Sequence, residues 1–145
     1  FAHSLGVRYA TCSGLIPSGS ACGQESRATA LTPEQLTEVL RQAVDTAEEL
    51  GMELDFTSPG WLEEETLRSL GLNLIPSCGA CLSNMAVTPD GKVVPCQSWL
   101  SDESLGDLLH DEWADIWDSP RCAAIRAESV KMEHLCQLKG KETAE

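Results

Sequence analysis

Hydrophobic residues recur at helical spacing in one long segment of the chain, between Thr32 and Gly51. The tetrapeptide from Thr32 to Gln35 opens this segment with a capping box and a proline at the first helical position, and Gly51 ends it. Residues 6–11 and 52–56 have the composition or the alternation of strands. Strand, helix and strand in this order predict a βαβ unit with a parallel sheet. The apolar face of the helix comprises Leu36, Val39, Leu40, Ala43, Val44, Ala47 and Leu50.

The second half of the chain has shorter apolar segments. Residues 61–70 predict a short helix, and two runs joined at Asp90-Gly91 predict a β-hairpin. Residues 104–109 predict a connector, followed by two short helices, one over 111–118 with Trp113, Ile116 and Trp117 as its apolar side and one from Pro120. The fold class is therefore α/β passing into α+β, in three parts: an α/β part at 1–74, a hairpin and short helices at 75–138, and a disordered tail at 139–145.

The charge of the chain limits its partners. Ten Lys and Arg residues against 23 Asp and Glu give a formal net charge of −13, which argues against binding to nucleic-acid phosphates or anionic lipid. No apolar run approaches the roughly 18–20 residues of a membrane span. Phe1 is not an initiator methionine, so we interpret the chain as part of a longer protein.

The cysteines predict a metal site in a reducing, cytoplasmic protein rather than a set of disulfides. Cys78 and Cys81 are separated by two residues, and the hairpin should return Cys96 beside Cys81. Cys12 and Cys22 are isolated, and we interpret them as small buried residues. Thiols at this spacing suit either zinc or an iron–sulfur cluster, and the residues alone favour zinc.

The residues around the hairpin resemble the SPASM and twitch domains, the C-terminal auxiliary-cluster domains of radical S-adenosylmethionine enzymes. The resemblance rests on Cys81, nine residues, Gly91, four residues and Cys96, and on segments 105–108 and 116–119. Residues before Cys78 are more loosely similar to the last βα units of the partial barrel of these enzymes. The resemblance implies an auxiliary [4Fe–4S] cluster that relays an electron or positions a substrate. The full-length parent would bind S-adenosylmethionine and modify peptides, proteins or cofactor precursors.

The chain also departs from the pattern of the full enzymes. It lacks the Cys-x3-Cys-x2-Cys motif that holds the S-adenosylmethionine cluster, so we assign no catalytic residue and expect no cleavage of S-adenosylmethionine by this piece. Only Cys122 and Cys136 follow Cys96, which implies one auxiliary cluster. The resemblance implies Cys78, Cys81, Cys96 and Cys136 as ligands, with Cys122 the second choice for the fourth. A further alternative is a cluster held by three cysteines, with its fourth iron open to another ligand.

Two rival hypotheses stay open. One is a zinc-stabilised, non-enzymatic module whose acidic surface meets a basic protein, and the other is a metal-free interaction domain. In the radical-enzyme hypothesis the partners are a peptide or small-molecule substrate and an electron-donor protein, with no nucleic acid and no membrane. His110 and His134 are expected to be exposed, and Trp99 is expected to pack in the core. The loop at 17–19 is either pocket-lining or a plain turn.

Overall fold

A computed structural model describes residues 1–16, 18, 21, 28–73, 78–99, 104–131 and 135–138 of the 145-residue chain. Within these residues the strands form two small sheets, one parallel pair and one antiparallel set of three. The strands are β1 (Tyr9–Cys12), β2 (Glu53–Phe56), β3 (Ala86–Val87), β4 (Lys92–Val94) and β5 (Gly106–Asp107). The helices are α1 (Pro33–Leu50), α2 (Glu64–Ser69), α3 (Trp113–Trp117) and α4 (Pro120–Lys131), and a 3-10 turn at His3–Leu5 precedes β1.

The predicted strand–helix–strand order is confirmed in the first part of the chain. β1 and β2 pair in parallel, with Cys12 opposite Phe56, and α1 connects them. The capping box is present, because the Gln35 N–H donates to Thr32 Oγ1 at 3.3 Å and the Thr32 N–H donates to Gln35 Oε1 at 3.0 Å. β1 begins three residues later than position 6, where the sequence placed it. The partial barrel is not seen in these two strands and stays a prediction.

The core of this unit lies between α1, β2 and the segment around α2. Leu40 and Phe56 are each only 1% exposed, and Leu36, Leu62, Leu67 and Leu72 complete the buried cluster. The apolar face predicted for α1 is only partly buried, since Val39 and Leu50 are exposed. The physical reason is that the described sheet has two strands, too few to cover a wide helix face.

The predicted β-hairpin is formed by β3 and β4, with its turn at Asp90-Gly91. Gly91 has a φ of 87°, and a Cβ there would lie 2.7 Å from Leu109 Cγ. Glycine is therefore required at this turn both for its backbone conformation and for the close approach of Leu109.

One element of the second part contradicts the sequence prediction. Residues 104–109 were expected to be a connector, but Gly106–Asp107 is strand β5 and pairs with β4. The Leu105 N–H donates to the Val93 carbonyl at 2.7 Å, and Lys92 Nζ lies 2.7 Å from Asp107 Oδ2. A two-residue strand has no periodicity of its own, so only its pairing with a distant strand reveals it.

The helices of the second part are shorter or less buried than their patterns suggest. Helix α2 begins at Glu64 rather than at 61. On α3, whose predicted apolar side comprises Trp113, Ile116 and Trp117, only Ile116 is buried, and Trp113 is 47% exposed. No helix in the described part of the chain combines the length and hydropathy needed to cross a membrane. The predictions for Cys22, His134, the loop positions 17 and 19 and the tail at 139–145 fall outside the described residues.

Candidate metal centre

The segment from Cys78 to Asn84 is a tight turn held by its own backbone. The Gly79 carbonyl accepts hydrogen bonds from the backbone N–H groups of Leu82, Ser83 and Asn84, at 2.9 to 3.1 Å. Gly79 has a φ of 71°, and a Cβ there would lie 2.4 Å from Ser83 Oγ and 2.5 Å from Asn84 Nδ2. The glycine between the two cysteines is therefore what allows the turn to close.

The turn is fastened to the end of the hairpin, as the return of Cys96 toward Cys81 required. The Cys81 N–H is shared between the carbonyls of Asn84 at 3.1 Å and Pro95 at 3.2 Å. Asn84 Nδ2 in turn donates to the Cys78 carbonyl at 3.2 Å. Cys81 itself has a φ of 54°, which is uncommon for a residue other than glycine.

Three of the predicted ligands line one cavity of about 440 Å³. Cys78 comes from the turn, Cys96 from the end of the hairpin and Cys136 from the segment that follows α4. The facing wall comes from the first part of the chain and comprises Ser13, Ile16, Thr57, Ser58, Pro59 and Trp61. The cavity therefore lies between the parallel βαβ unit and the cysteine-bearing hairpin.

The other two cysteines of this region are placed differently. Cys81 and Cys122 are both fully buried, and neither is among the residues that line the cavity. Burial and the neighbouring Cys122 thiol together raise the pKa of Cys81 to about 12, and the Arg126 charge opposes the rise. The charge of Cys96 also contributes to the raised pKa of Cys81, so Cys81 lies within electrostatic range of the cavity thiols.

Arg126, at the middle of α4, joins the two buried cysteines. Its Nε donates to the Cys81 carbonyl at 3.0 Å, and one terminal nitrogen lies 3.3 Å from Cys122 Sγ. The same nitrogen donates to the Trp117 carbonyl at 2.6 Å, and the guanidinium stacks 3.7 Å from the centre of the Trp117 ring. In the sequence, the only available sign of this role was that Cys122 and Arg126 are four residues apart, on one helix face.

A polar network lies beside Cys78, and sequence reasoning missed it. Ser129 is fully buried on α4, donates to the Ala80 carbonyl at 2.7 Å and lies 3.5 Å from Cys78 Sγ. Gln137 Nε2 donates to Ser129 Oγ at 2.8 Å and lies 3.9 Å from Cys78 Sγ. The seven-residue spacing from Cys122 to Ser129 places both on one side of the helix and was the one signal present in the sequence.

The cavity thiols are partly buried. Burial raises the pKa of Cys96, and the charges of Cys136 and Cys78 act in the same direction, while backbone N–H groups of the following residues oppose them. A metal that binds here must therefore displace a proton from Cys96. Trp99 is buried among Ala80, Leu138 and the cavity thiols, which confirms its predicted place in the core.

The remaining predicted candidates lie away from the cavity. The side chain of His110 is 74% exposed, as expected, and bonds to Asp107 rather than to a cysteine. Cys12 is half-buried against the core of the first part. Neither residue is in a position to complete the donor set.

The donor set suits a polynuclear centre. Three thiols are spread around one cavity, with Cys81 behind its wall. A [4Fe–4S] cluster takes one thiolate at each of four irons, so donors distributed around a volume fit it.

Comparison with protein families places the hairpin region in a known group. Residues 73–138 match the family model SPASM, described as an iron–sulfur cluster-binding domain. No curated protein and no solved structure matches the chain. The matched segment includes the Cys78 turn, the hairpin, α3, α4 and Cys136, so it contains every residue assigned to the cavity from the second part of the chain. Residues 73–138 therefore match the SPASM iron–sulfur cluster-binding domain, as the resemblance of the hairpin implied.

Proposed function

We propose that this chain is the C-terminal part of a radical S-adenosylmethionine enzyme and that its SPASM domain carries one auxiliary [4Fe–4S] cluster. The observation that carries the proposal is the convergence of Cys78, Cys96 and Cys136 on one cavity within the matched segment. Three distant parts of the chain supply these thiols, a convergence that packing alone does not require.

The ligands in this proposal are Cys78, Cys81, Cys96 and Cys136. Cys78, Cys96 and Cys136 already line the cavity, and Cys81 adjoins Ala80 in its wall. When bound, the cluster supplies a one-electron couple next to the substrate. Trp99 excludes water from this site, and Ser129 and Gln137 fix the side chain of Cys78.

The rest of the parent enzyme follows from the same proposal. Residues 1–74 would be the last βα units of the partial barrel and residues 75–138 the cluster domain. The parent would cleave S-adenosylmethionine at another cluster, upstream of this piece, in the cytoplasm. Its partners would be a peptide or small-molecule substrate and an electron-donor protein. The cavity supports this arrangement, because Thr57, Ser58 and Trp61 of the first part line the same cavity as the thiols.

The test is the metal and acid-labile sulfide content of protein purified and reconstituted without oxygen. We expect about four irons and four sulfides per chain, with the absorbance and electron paramagnetic resonance of a [4Fe–4S] cluster after reduction. One zinc and no sulfide, persisting after iron reconstitution, would instead support the zinc-stabilised interaction module and exclude the cluster.

A pair of cysteine variants localises the metal. Cys96→Ala removes a thiol from the cavity and should lower the iron bound per chain, whereas Cys12→Ala removes a half-buried thiol from the other core and should not. Equal iron contents in the two variants would contradict the ligand assignment.

A further inference from the structure

Cys122 is the one cysteine of the SPASM segment that the ligand assignment leaves without a role. It is fully buried in the first turn of α4, and its N–H donates to Ser119 Oγ at 3.2 Å. It does not line the cavity but lies near Cys81, because the Arg126 guanidinium donates to the Cys81 carbonyl at 3.0 Å and lies 3.3 Å from Cys122 Sγ. A thiol can donate as well as accept a hydrogen bond, so Cys122 is placed to donate to the Cys81 sulfur once that sulfur is a thiolate.

Arg126 holds this pair of thiols in place. Its guanidinium is fixed by the Trp117 carbonyl, by the Trp117 ring and by the Cys81 carbonyl, with distances of 2.6, 3.7 and 3.0 Å. The remaining contact, 3.3 Å to Cys122 Sγ, places a positive charge directly behind the thiols. Three fixed contacts leave the guanidinium little freedom to move away, so its charge stays beside the Cys122 sulfur and the Cys81 carbonyl.

Hydrogen bonds and positive charge at a ligand sulfur favour the reduced, more negative state of an iron–sulfur cluster, and therefore raise its reduction potential. We propose that Cys122 and Arg126 are positioning residues that fix Cys81 and, through it, raise the reduction potential of the auxiliary cluster. This inference rests on the proposed function, since it requires a cluster with Cys81 among its ligands.

The test compares midpoint potentials of anaerobically reconstituted protein, measured by redox titration with electron paramagnetic resonance detection. Cys122→Ala and Arg126→Gln should retain the iron and sulfide of the unchanged chain. Their potentials should fall by an amount equivalent to about a tenfold change in the ratio of oxidised to reduced cluster, or about 59 mV for one electron. Cys122→Ser keeps a donor and should recover part of the loss.

Two controls separate this role from a general effect. Lys131→Gln removes one positive charge from the same helix at a side chain that is 73% exposed, and Cys12→Ser removes a sulfur from the other core. Both should leave the potential unchanged.

The outcomes distinguish failure of this inference from failure of the proposed function. Absence of a cluster from the unchanged chain would overturn the proposed function itself. A loaded chain whose variants keep the original potential would overturn only the role of Cys122 and Arg126. Loss of iron from Cys122→Ala with no loss in Cys81→Ala would make Cys122 a ligand in place of Cys81, and would overturn the inference as well.

Discussion

At the scale of single residues, the cysteines of residues 73–138 fall into two groups. Cys78, Cys96 and Cys136 line the cavity, whereas Cys81 and Cys122 are buried behind its wall. The difference arises from the backbone, because Cys81 stands at a positive φ with its carbonyl held by Arg126. The direction of the Cys81 side chain is therefore set by the backbone of the turn.

Gly79→Ala should disrupt the cysteine turn. The substitution places a side chain in the left-handed region, which costs about 1–2 kcal/mol, and adds a clash with Ser83 and Asn84. We expect lower stability in urea and less iron bound per chain after reconstitution.

The matched control for this change is Gly71→Ala. Gly71 has a φ of 72°, close to that of Gly79, but a Cβ there meets nothing within 4 Å. It should show only the backbone cost and full iron binding. Equal iron loss in both variants would mean that crowding in the turn is not the cause.

Asp107 should make the stability of the hairpin region depend on pH at the acid end. Hydrogen bonds from Lys92 Nζ at 2.7 Å, the Leu109 N–H and His110 hold its pKa well below its ordinary value of 3.8. A carboxyl with a lowered pKa in the folded state stabilises the fold above its ordinary pKa and loses this contribution as pH falls toward the folded value.

Urea unfolding from pH 6 to pH 2 would check the role of Asp107. The unchanged chain should lose its advantage over Asp107→Asn below about pH 4. Asp90→Asn is the matched control, because the Asp90 carboxylate bonds only to the nearby Thr88 hydroxyl among the described contacts. It should change the free energy of unfolding at acid pH by less than Asp107→Asn does. A constant difference between the unchanged chain and Asp107→Asn over the whole range would contradict the expectation.

At the scale of elements, the long helix α1 is defined by local signals. Its N-terminus has a complete capping box, and its C-terminus has Gly51 in the left-handed conformation. Local signals of this kind act through bonds between near neighbours, so they can be read without knowledge of the fold. The buried positions Leu36, Leu40 and Ala47 then attach the helix to the rest of the core.

Thr32→Ala should destabilise the chain by about 1 kcal/mol, because it removes the side-chain acceptor for the Gln35 N–H. Equilibrium urea unfolding measures the effect. Thr46→Ala is the control, since Thr46 is exposed within the same helix and bonds only back to the Gln42 carbonyl. It should be neutral or slightly stabilising, and a comparable loss at both positions would argue against a capping effect.

At the scale of the whole molecule, the cavity joins two parts of the chain that differ in architecture. Its thiols come from the segment that matches the SPASM family model, and its facing wall comes from the segments that follow β1 and β2. Ser58, only 1% exposed, accepts the Gly14 N–H at 3.0 Å and so ties these two segments together. Ligand binding in the cavity should therefore affect both parts of the chain that line it.

Hydrogen exchange measured with and without the reconstituted cluster would test this coupling. We expect amide exchange to slow about tenfold, or roughly 1.4 kcal/mol, at Trp61 in the first part as well as at Cys81 and Trp99 in the second. The Gly51 amide, at the end of α1, should be unaffected because Gly51 does not line the cavity. Slower exchange confined to residues 78–99 would show that the first part does not share the site.

The sequence by itself determined the features that depend on neighbours along the chain. The capping box and Gly51 defined α1, Asp90-Gly91 defined the hairpin, and the spacing of Cys81, Gly91 and Cys96 indicated the SPASM family. Each of these signals lies within a window of about twenty residues. Short segments of this length define helix ends, turns and thiol spacings, because these features depend on bonds between residues close together in the sequence.

Only the tertiary structure decided which side chains meet. It paired β5 with β4, left Val39 exposed, and divided the cysteines between the cavity and the pair at Cys122. It also brought Arg126 to the Cys81 carbonyl and Ser129 and Gln137 to the Cys78 sulfur, contacts that span 45, 51 and 59 residues. The physical reason is that these contacts depend on how α4 packs against the cysteine turn, and no local pattern encodes that packing.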